Sequence, residues 1–370
     1  MFNPGHSHCD VRLPTRCRPR SSTDTILRPD ENELNMSVRM GHAAVRALSC
    51  IAATMVLTAC ASTPATTAPQ QNLGATSITT WKDGKRAVYM LAFDDNLPSQ
   101  LDNAVPMLEE RDLVGTFYVV PGSALWLQYS PQWAEAARST SVVLANHTFT
   151  HRGVTDIQQL DFELTSANDA LYALYPDRPR PFLMGWARPG GVPWDVTPEE
   201  QNAELLEHDL VERPDYAGSP VNFTTEAELL ASVDTAIANR GIGHNDMHGI
   251  GGDYLVTPLE WFTALLDKIK ARSADLWVPD LVSFVKYRAE RETARVDLLK
   301  RRSGEIRLSL KSDAPSSSYD YPLTLRTEVP QNWSVAVVKQ GRVQTAVPVE
   351  DGVAQYDAVP GREDISLTAI

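Results

Sequence analysis

Cysteine is nearly absent: the four present, Cys9, Cys17, Cys50 and Cys60, all lie at or before position 60 of 370. No disulfide can therefore brace whatever folds downstream. Histidine is sparse, and only His147, His151, His208, His244 and His248 follow position 60. Basic charge is in deficit, 34 Lys and Arg against 47 Asp and Glu for a net charge of −13, with no basic stripe. That balance excludes nucleic acid as a partner, because phosphate binding requires clustered Lys and Arg. Long apolar runs are also missing, the early stretch 47–57 being too short to span a bilayer as a stable helix. No internal repeat is visible. What remains is ordinary globular composition, 43% hydrophobic and 22% charged, with length enough for one large domain and a smaller one.

From Met36 the chain reads "MSVRMGHAAVRALSCIAATMVLTAC", with Arg39 and Arg46 ahead of the short apolar run. This resembles a bacterial lipoprotein export signal over 36–59, and "LTAC" resembles a lipobox. The resemblance implies cleavage before Cys60, diacylation of its sulfur, and an exported lipoprotein anchored in a membrane and facing the periplasm or cell envelope. A plain signal peptide or an N-terminal anchor is the alternative. Each buried methylene of an acyl chain contributes about 0.8 kcal/mol, so multiple chains hold a domain at a membrane. Residues 1–35 precede a signal that works from the chain start, which makes them a non-native or disordered leader with translation beginning at Met36 or Met40. After Cys60, "ASTPATTAPQQNLGATS" is small, polar and Pro-containing, and 60–80 reads as a flexible tether.

Over 81–293 apolar strands alternate with amphipathic helices, the pattern of an α/β fold with a mainly parallel core. Strands are expected at 87–93, 114–120, 141–145, 182–187 and 242–247. Thr225 and Glu228 have capping-box spacing ahead of Leu229, Leu230, Val233 and Ile237, and Gly241 closes that helix. Thr257, Pro258 and Glu260 repeat the signal ahead of a buried face of Leu259, Phe262, Leu265, Leu266 and Ile269. In 296–370, "EIRLSL", "PLTLRTEV", "SVAVVK" and "DISLTAI" alternate with period two between turn residues, which predicts a small C-terminal antiparallel β-sandwich. Carbohydrate contact, barrel support and assembly are all open roles for it.

"LAFDDN" ends a buried strand on two adjacent carboxylates, Asp94 and Asp95. Buried unpaired charge is costly, so the pair needs water, as in a solvated turn, or a cation. "NHTFTH" ends another strand, and four-residue spacing on a helical turn would bring His147 and His151 to one side. A polar turn is the bland reading. Two His and a carboxylate form the ligand set of hydrolytic zinc sites that leave a position open.

Taken in order, "AFDDN", "HTFTH", "ARPGG" and "MHG" resemble the motif series of the NodB-type polysaccharide deacetylases, carbohydrate esterase family 4, over 85–291. The resemblance implies a distorted (β/α) barrel with its site at the C-terminal ends of the strands. It makes Asp94 the catalytic base, Asp95, His147 and His151 the metal ligands, Arg188 the residue that holds the base, and His248 the general acid. A backbone N–H near Gly190 would help bind the oxyanion. The implied cofactor is a divalent metal, Zn²⁺ by default with Co²⁺ or Ni²⁺ as alternatives. The implied substrate is an acetylated polysaccharide, with an N-acetyl sugar as the family default. An O-acetyl esterase acting on acetylated xylan is the rival, and a non-catalytic carbohydrate-binding lipoprotein a third class.

This chain departs from the family pattern at Asn96, where Gly is usual, and at Gly190 and Gly191, where Pro or an aromatic residue is usual. The family's Asp that tunes the acidic His is matched by Asp215 or Asp246, each of which also reads as an ordinary loop or strand-end residue. His244 fits a structural or substrate-edge role, and His208 reads as a helix-end histidine. Trp126, Trp133, Trp186 and Trp194 flank the motif loops, where they either stack on sugar rings or pack in the core; Trp186 and Trp194 bracket Arg188 and are the preferred substrate contacts.

Overall fold

The computed structural model describes residues 72–214 and 217–370. Cys60, the export signal, the leader, most of the tether and Asp215 lie outside the described residues. No helix among the described residues is long and apolar enough to cross a membrane.

The chain enters through β1 (Thr76–Ile78) and then forms the central strand β2 (Ala87–Asp94), every residue of which is buried. Parallel strands β3 (Gly115–Val119), β4 (Val142–Asn146), β5 (Met184–Trp186) and β6 (Leu210–Glu212) extend the sheet on one side of β2. On the other side lie β8 (Ile242–Met247) and β7 (Ala217–Ser219), and β9 (Leu276–Trp277) pairs with the start of β2. The strand order is β6-β5-β4-β3-β2-β8-β7. Among the described residues β6 and β7 do not pair with each other, so the sheet is an open half-barrel, in keeping with the distorted barrel that the family resemblance implied. Strands of three residues at both edges offer too few ladder hydrogen bonds to close the ring.

Helices cover the sheet: α1 (Val105–Glu110), α2 (Ala124–Ala136), α3 (Ile157–Tyr172), α4 (Pro198–Glu207), α5 (Glu226–Asn239), α6 (Leu259–Ala271) and α7 (Leu281–Thr293). Because side chains alternate along a strand, β2 feeds two cores. Ala87, Tyr89, Leu91 and Phe93 pack with residues of α1 to α6, where Phe93 stacks on Phe117 at 4.5 Å and meets Phe262 edge-on at 5.9 Å. Val88, Met90 and Ala92 pack with Leu281, Phe284 and Tyr287 of α7 and with apolar residues of the C-terminal strands. Helix α5 has the Thr225–Glu228 capping box and ends on Arg240 in the left-handed region, φ 51°, one residue before Gly241. Helix α6 differs from its sequence reading: Pro258 is the N-cap, Thr257 donates its hydroxyl to the Ser219 carbonyl instead (3.2 Å), and Leu259 is exposed.

The C-terminal strands are β10 (Arg295–Arg302), β11 (Glu305–Lys311), β12 (Leu323–Glu328), β13 (Val335–Gln340), β14 (Val343–Glu350), β15 (Val353–Ala358) and β16 (Ile365–Ala369). They form one continuous antiparallel path, β1-β12-β15-β14-β13-β16-β11-β10, which is barrel-like, where the alternating pattern had suggested a sandwich of two sheets. The reason is β14, which pairs along its length with β13 and at its end with β15, joining what would otherwise be two layers. The path also corrects the tether: Thr76, Ser77 and Ile78 pair with Thr327, Arg326 and Leu325.

Candidate active site

The parallel strands end on one rim, and the polar motifs sit there. Asp94 is the last residue of β2 and lies on the face shared by Ala92 and Met90, 3% exposed. Asp95 and Asn96 then turn the chain through the left-handed region, with φ of 73° and 46°. Asn96 holds the turn by accepting a hydrogen bond from the Val120 N–H at 2.7 Å, which suits a residue type tolerant of positive φ.

His147 and His151 sit on a tight loop after β4, not on a helical turn. Thr148 and His151 both have positive φ, 65° and 58°, which a helix does not allow. Asn146 organises the loop by accepting from the Thr148 N–H at 2.7 Å while its amide donates to Leu164 and Asn168 of α3. Buried Glu163 accepts the Thr150 N–H at 2.7 Å. The outcome is the same convergence by a different backbone: the two imidazole centroids stand 5.0 Å apart.

Ligand atoms of Asp95, His147 and His151 all lie within 4.8 Å of one another. Nε2 of His151 is 3.4 Å and Nε2 of His147 is 3.6 Å from Oδ1 of Asp95. A tetrahedral ion with bonds of roughly 2.0–2.1 Å to N and O sets its ligands roughly 3.3 Å apart, so the spacing fits a divalent cation. The tautomer fits too. The Ala187 carbonyl can only accept, so Nδ1 of His147, at 2.9 Å, carries the proton and Nε2 keeps a free lone pair. Burial drives the His147 ring towards its neutral form, the form that binds metal, against the pull of Asp94 and Asp95.

The guanidinium that holds Asp94 belongs to Arg213, at the end of β6. Its Nη1 and Nη2 reach the two carboxylate oxygens of Asp94 at 2.8 and 3.1 Å, and Nη1 also reaches Asp246 at 2.8 Å. The Arg213 side chain is 3% exposed and lies 4.6 Å over the Tyr118 ring. Burial alone would raise the Asp94 carboxyl, but Arg213 beside it holds it well below the usual carboxylate range. One guanidinium cannot fully serve two carboxylates in so dry a place. Burial and the Asp94 charge push Asp246 well up, and only one of its oxygens meets Arg213.

Arg188, expected to hold the base, is corrected by this geometry. It is exposed, one residue past the Ala187 carbonyl, with its guanidinium 5.0 Å over the Trp194 ring. The cause is the length of β5, which ends at Trp186 and sends the next residues outward into an open loop. Gly190 and Gly191 lie on that exposed loop with no atom within 4 Å of where a Cβ would stand.

His248 follows β8 with Nε2 3.6 Å from Oδ2 of Asp95. Buried Gln100 stitches the two strand ends together, donating to the Asp94 carbonyl at 2.6 Å and the His248 carbonyl at 2.9 Å. His244 and Asp246 precede His248 on the same face of β8, and burial holds the His244 ring down to about 3. His208 is the C-cap of α4, its Nε2 3.0 Å from Asp161 of α3.

Trp186 is a correction as well: it is fully buried in the core under the helices and cannot face a sugar. Trp126 and Trp133 are buried in the same core. Trp194 is half-buried, 6.0 Å from Trp186, and donates to Gln201 at 3.0 Å.

Sequence reasoning missed Arg213 and Tyr254. The first had a signal, since "ERPD" repeats the Arg-Pro dipeptide of "ARPGG" after a second apolar strand end. Tyr254, which donates its hydroxyl to Oδ2 of Asp95, sits in an aperiodic loop and had none.

Residues 82–205 match the family model for polysaccharide deacetylase. The match takes in Asp94, Asp95, His147, His151 and Arg188 and ends before Arg213, Asp246 and His248. No curated protein matches the chain. Among solved structures the chain is similar to a mutant of a CE4-family pseudoenzyme of Bacillus anthracis with restored enzymatic activity, at 17% identity and a TM-score of 0.40, covering 53% of this chain and 66% of that one. It is also similar to a CE4 esterase of Streptococcus mutans, at 20% identity and a TM-score of 0.41, covering 52% and 86%. A family 4 carbohydrate esterase from Streptomyces lividans in complex with acetate gives 17% identity and a TM-score of 0.38, covering 52% and 92%.

Proposed function

We propose that the protein is a metal-dependent hydrolase that removes acetyl groups from a polysaccharide, with N-acetyl sugars as substrate. The single observation that carries the reading is the convergence of Asp95, His147 and His151 at ligand spacing beside an arginine-held carboxylate. The family-model match over 82–205 supports it.

Asp95, His147 and His151 would hold the ion, Zn²⁺ by default; when bound it supplies Lewis acidity that polarises the acetyl carbonyl and makes the attacking water more acidic. Asp94 takes the water's proton. A carboxylate paired to arginine is a weak base, yet each oxygen keeps a second lone pair, and Oδ2 is 3.6 Å from Nε2 of His147, facing the ligands. His248, on the far side of Asp95, donates a proton to the departing nitrogen or oxygen. The exposed backbone around Gly190 offers N–H groups to the oxyanion. Arg213 keeps Asp94 ionised and fixes its plane.

The test is acetate release from N-acetylglucosamine oligomers and from acetylated xylan, with and without a chelator. Release from the oligomers that is lost on chelation and restored by zinc is expected; preference for xylan moves the assignment to an ester. Asp94→Asn should abolish turnover with zinc still bound, and retained turnover removes Asp94 from this role. Lipidation at Cys60 and export to the cell envelope belong to the same proposal. A mature protein whose first residue is not acylated Cys60 would sink that part.

A further inference from the structure

The loop 249–257 after His248 is braced at nearly every residue. Gly249 N–H donates to the Tyr254 carbonyl at 3.0 Å, Thr257 N–H to the Gly249 carbonyl at 2.8 Å and Gly251 N–H to the Thr257 carbonyl at 2.9 Å. Ser99 and Asn103 pin it from outside: Ser99 N–H donates to Asp253 at 2.8 Å, Ile250 N–H donates to the Ser99 hydroxyl at 3.0 Å, and the Asn103 amide donates to the Ile250 carbonyl at 2.7 Å. A Cβ at Gly249 would lie 2.0 Å from the Gly252 carbonyl, so the close approach requires glycine there.

Tyr254 is flanked by two non-glycine residues in the left-handed region, Asp253 at φ 66° and Leu255 at φ 44°. Each costs of order 1 kcal/mol, and such outliers persist only where the surroundings over-determine them. The twist has one visible effect. It turns a side chain that is 48% exposed back over the rim, where its ring lies 5.6 Å from the His248 ring and its hydroxyl donates to Oδ2 of Asp95.

The two oxygens of Asp95 are thereby divided. Oδ1 faces Nε2 of His147 and His151, and Oδ2 faces Tyr254 and His248. We propose that Tyr254 is a positioning residue of the metal site, holding Oδ2 so that Asp95 offers the cation Oδ1 alone. The inference rests on the metal-site reading above. A carboxylate free to bind through both oxygens would occupy a second coordination position, one that water and the acetyl oxygen need. Held by Tyr254, Asp95 is a one-point ligand of fixed orientation.

The experiment is competition of zinc between a chromogenic chelator and the full chain, comparing wild type, Tyr254→Phe and Leu255→Ser. Phenylalanine keeps the ring against His248 and removes only the hydroxyl. About 10–100-fold weaker zinc binding is expected for Tyr254→Phe, with an unchanged thermal midpoint for the zinc-free protein and wild-type affinity for Leu255→Ser. Wild-type affinity in Tyr254→Phe overturns the inference, as does an equal loss in Leu255→Ser, which would assign the effect to loop geometry. Absence of zinc binding in the wild type overturns the metal-site reading itself and this inference with it.

Discussion

Replacing Arg213 with Met tests the departure from the sequence reading most directly, because Arg213 and not Arg188 meets Asp94. In the wild type, Arg213 makes a two-point ion pair with Asp94 and a further contact with Asp246, all at 3% exposure or less for the residues' least accessible partners, Arg213 and Asp246. Methionine fills similar volume but leaves Asp94 facing Asp246 without a counter-charge. Breaking a buried pair by removing one member costs about 3–5 kcal/mol. Since Asp246 is already pushed towards its neutral form, the loss should fall near the lower figure, ~3 kcal/mol. For a folded unit of roughly 300 residues the unfolding entropy is about 0.6 kcal/mol/K, so the thermal midpoint should drop by about 5 °C.

Activity should respond through the base. With Arg213 gone, burial raises the Asp94 carboxyl against the pull of His147 and His248 alone, so the acid limb of kcat/KM should move to higher pH. The linkage sign agrees: a depressed carboxyl contributes stability above its unfolded value that is lost as pH falls through the folded value, and the variant should lack that acid-side loss. Arg188→Met is the paired control. Its guanidinium is exposed over Trp194, so the stability should change by no more than about 0.5 kcal/mol, with the acid limb unmoved. If Arg188→Met moves the acid limb and Arg213→Met does not, the assignment of the base's partner is wrong.

Glu290 on α7 is almost fully buried and is pushed up to about 7 by burial, against the hydrogen bond it accepts from the Tyr321 N–H at 3.0 Å. A raised carboxyl contributes stability that is fully present below about 4.5 and lost as pH rises through about 7. Glu290→Gln, which still accepts from Tyr321, should therefore match the wild type near pH 4.5 and exceed it at pH 8 by of order 2 kcal/mol in urea unfolding; a pH-independent difference would remove Glu290 from this role. Trp186→Ala should cost about 3–5 kcal/mol through the cavity it leaves, whereas Trp194→Ala should cost far less and act on KM if it meets substrate; equal destabilisation by both would contradict their burial.

The metal-ligand cluster could be read in the chain because it is built from short local segments. Asp94 and Asp95 end an eight-residue buried strand, and His147 and His151 follow another strand closely. Continuous apolar runs fix where a buried strand ends, and the end fixes which rim its polar residues join. Arg213 was hidden for the opposite reason: β6 is three residues long, too short to show a period, and its pairing to Asp94 spans 119 positions. The helical turn assumed for "HTFTH" failed because Asn146 and Glu163 supply hydrogen bonds that stabilise a left-handed path instead. β1 went unseen since three residues, with Ile78 the one apolar side chain among them, carry no strand signal until β12 is beside them.

Strand β1 has a mechanical consequence. The polypeptide arrives at the first strand of the antiparallel path, whose other seven members come from the last part of the chain, and only then crosses to the central parallel strand. Load entering from upstream of Thr76 is taken up first by the β1–β12 ladder, sparing the loops that carry the carboxylates and imidazoles. Nor is the last part of the chain a detachable appendage. Val88, Met90, Trp277 and Phe284 share one apolar interior with Ile306, Leu308, Leu325 and Leu367, and truncating the chain after α7 would strip half of that interior and leave β1 without a neighbour.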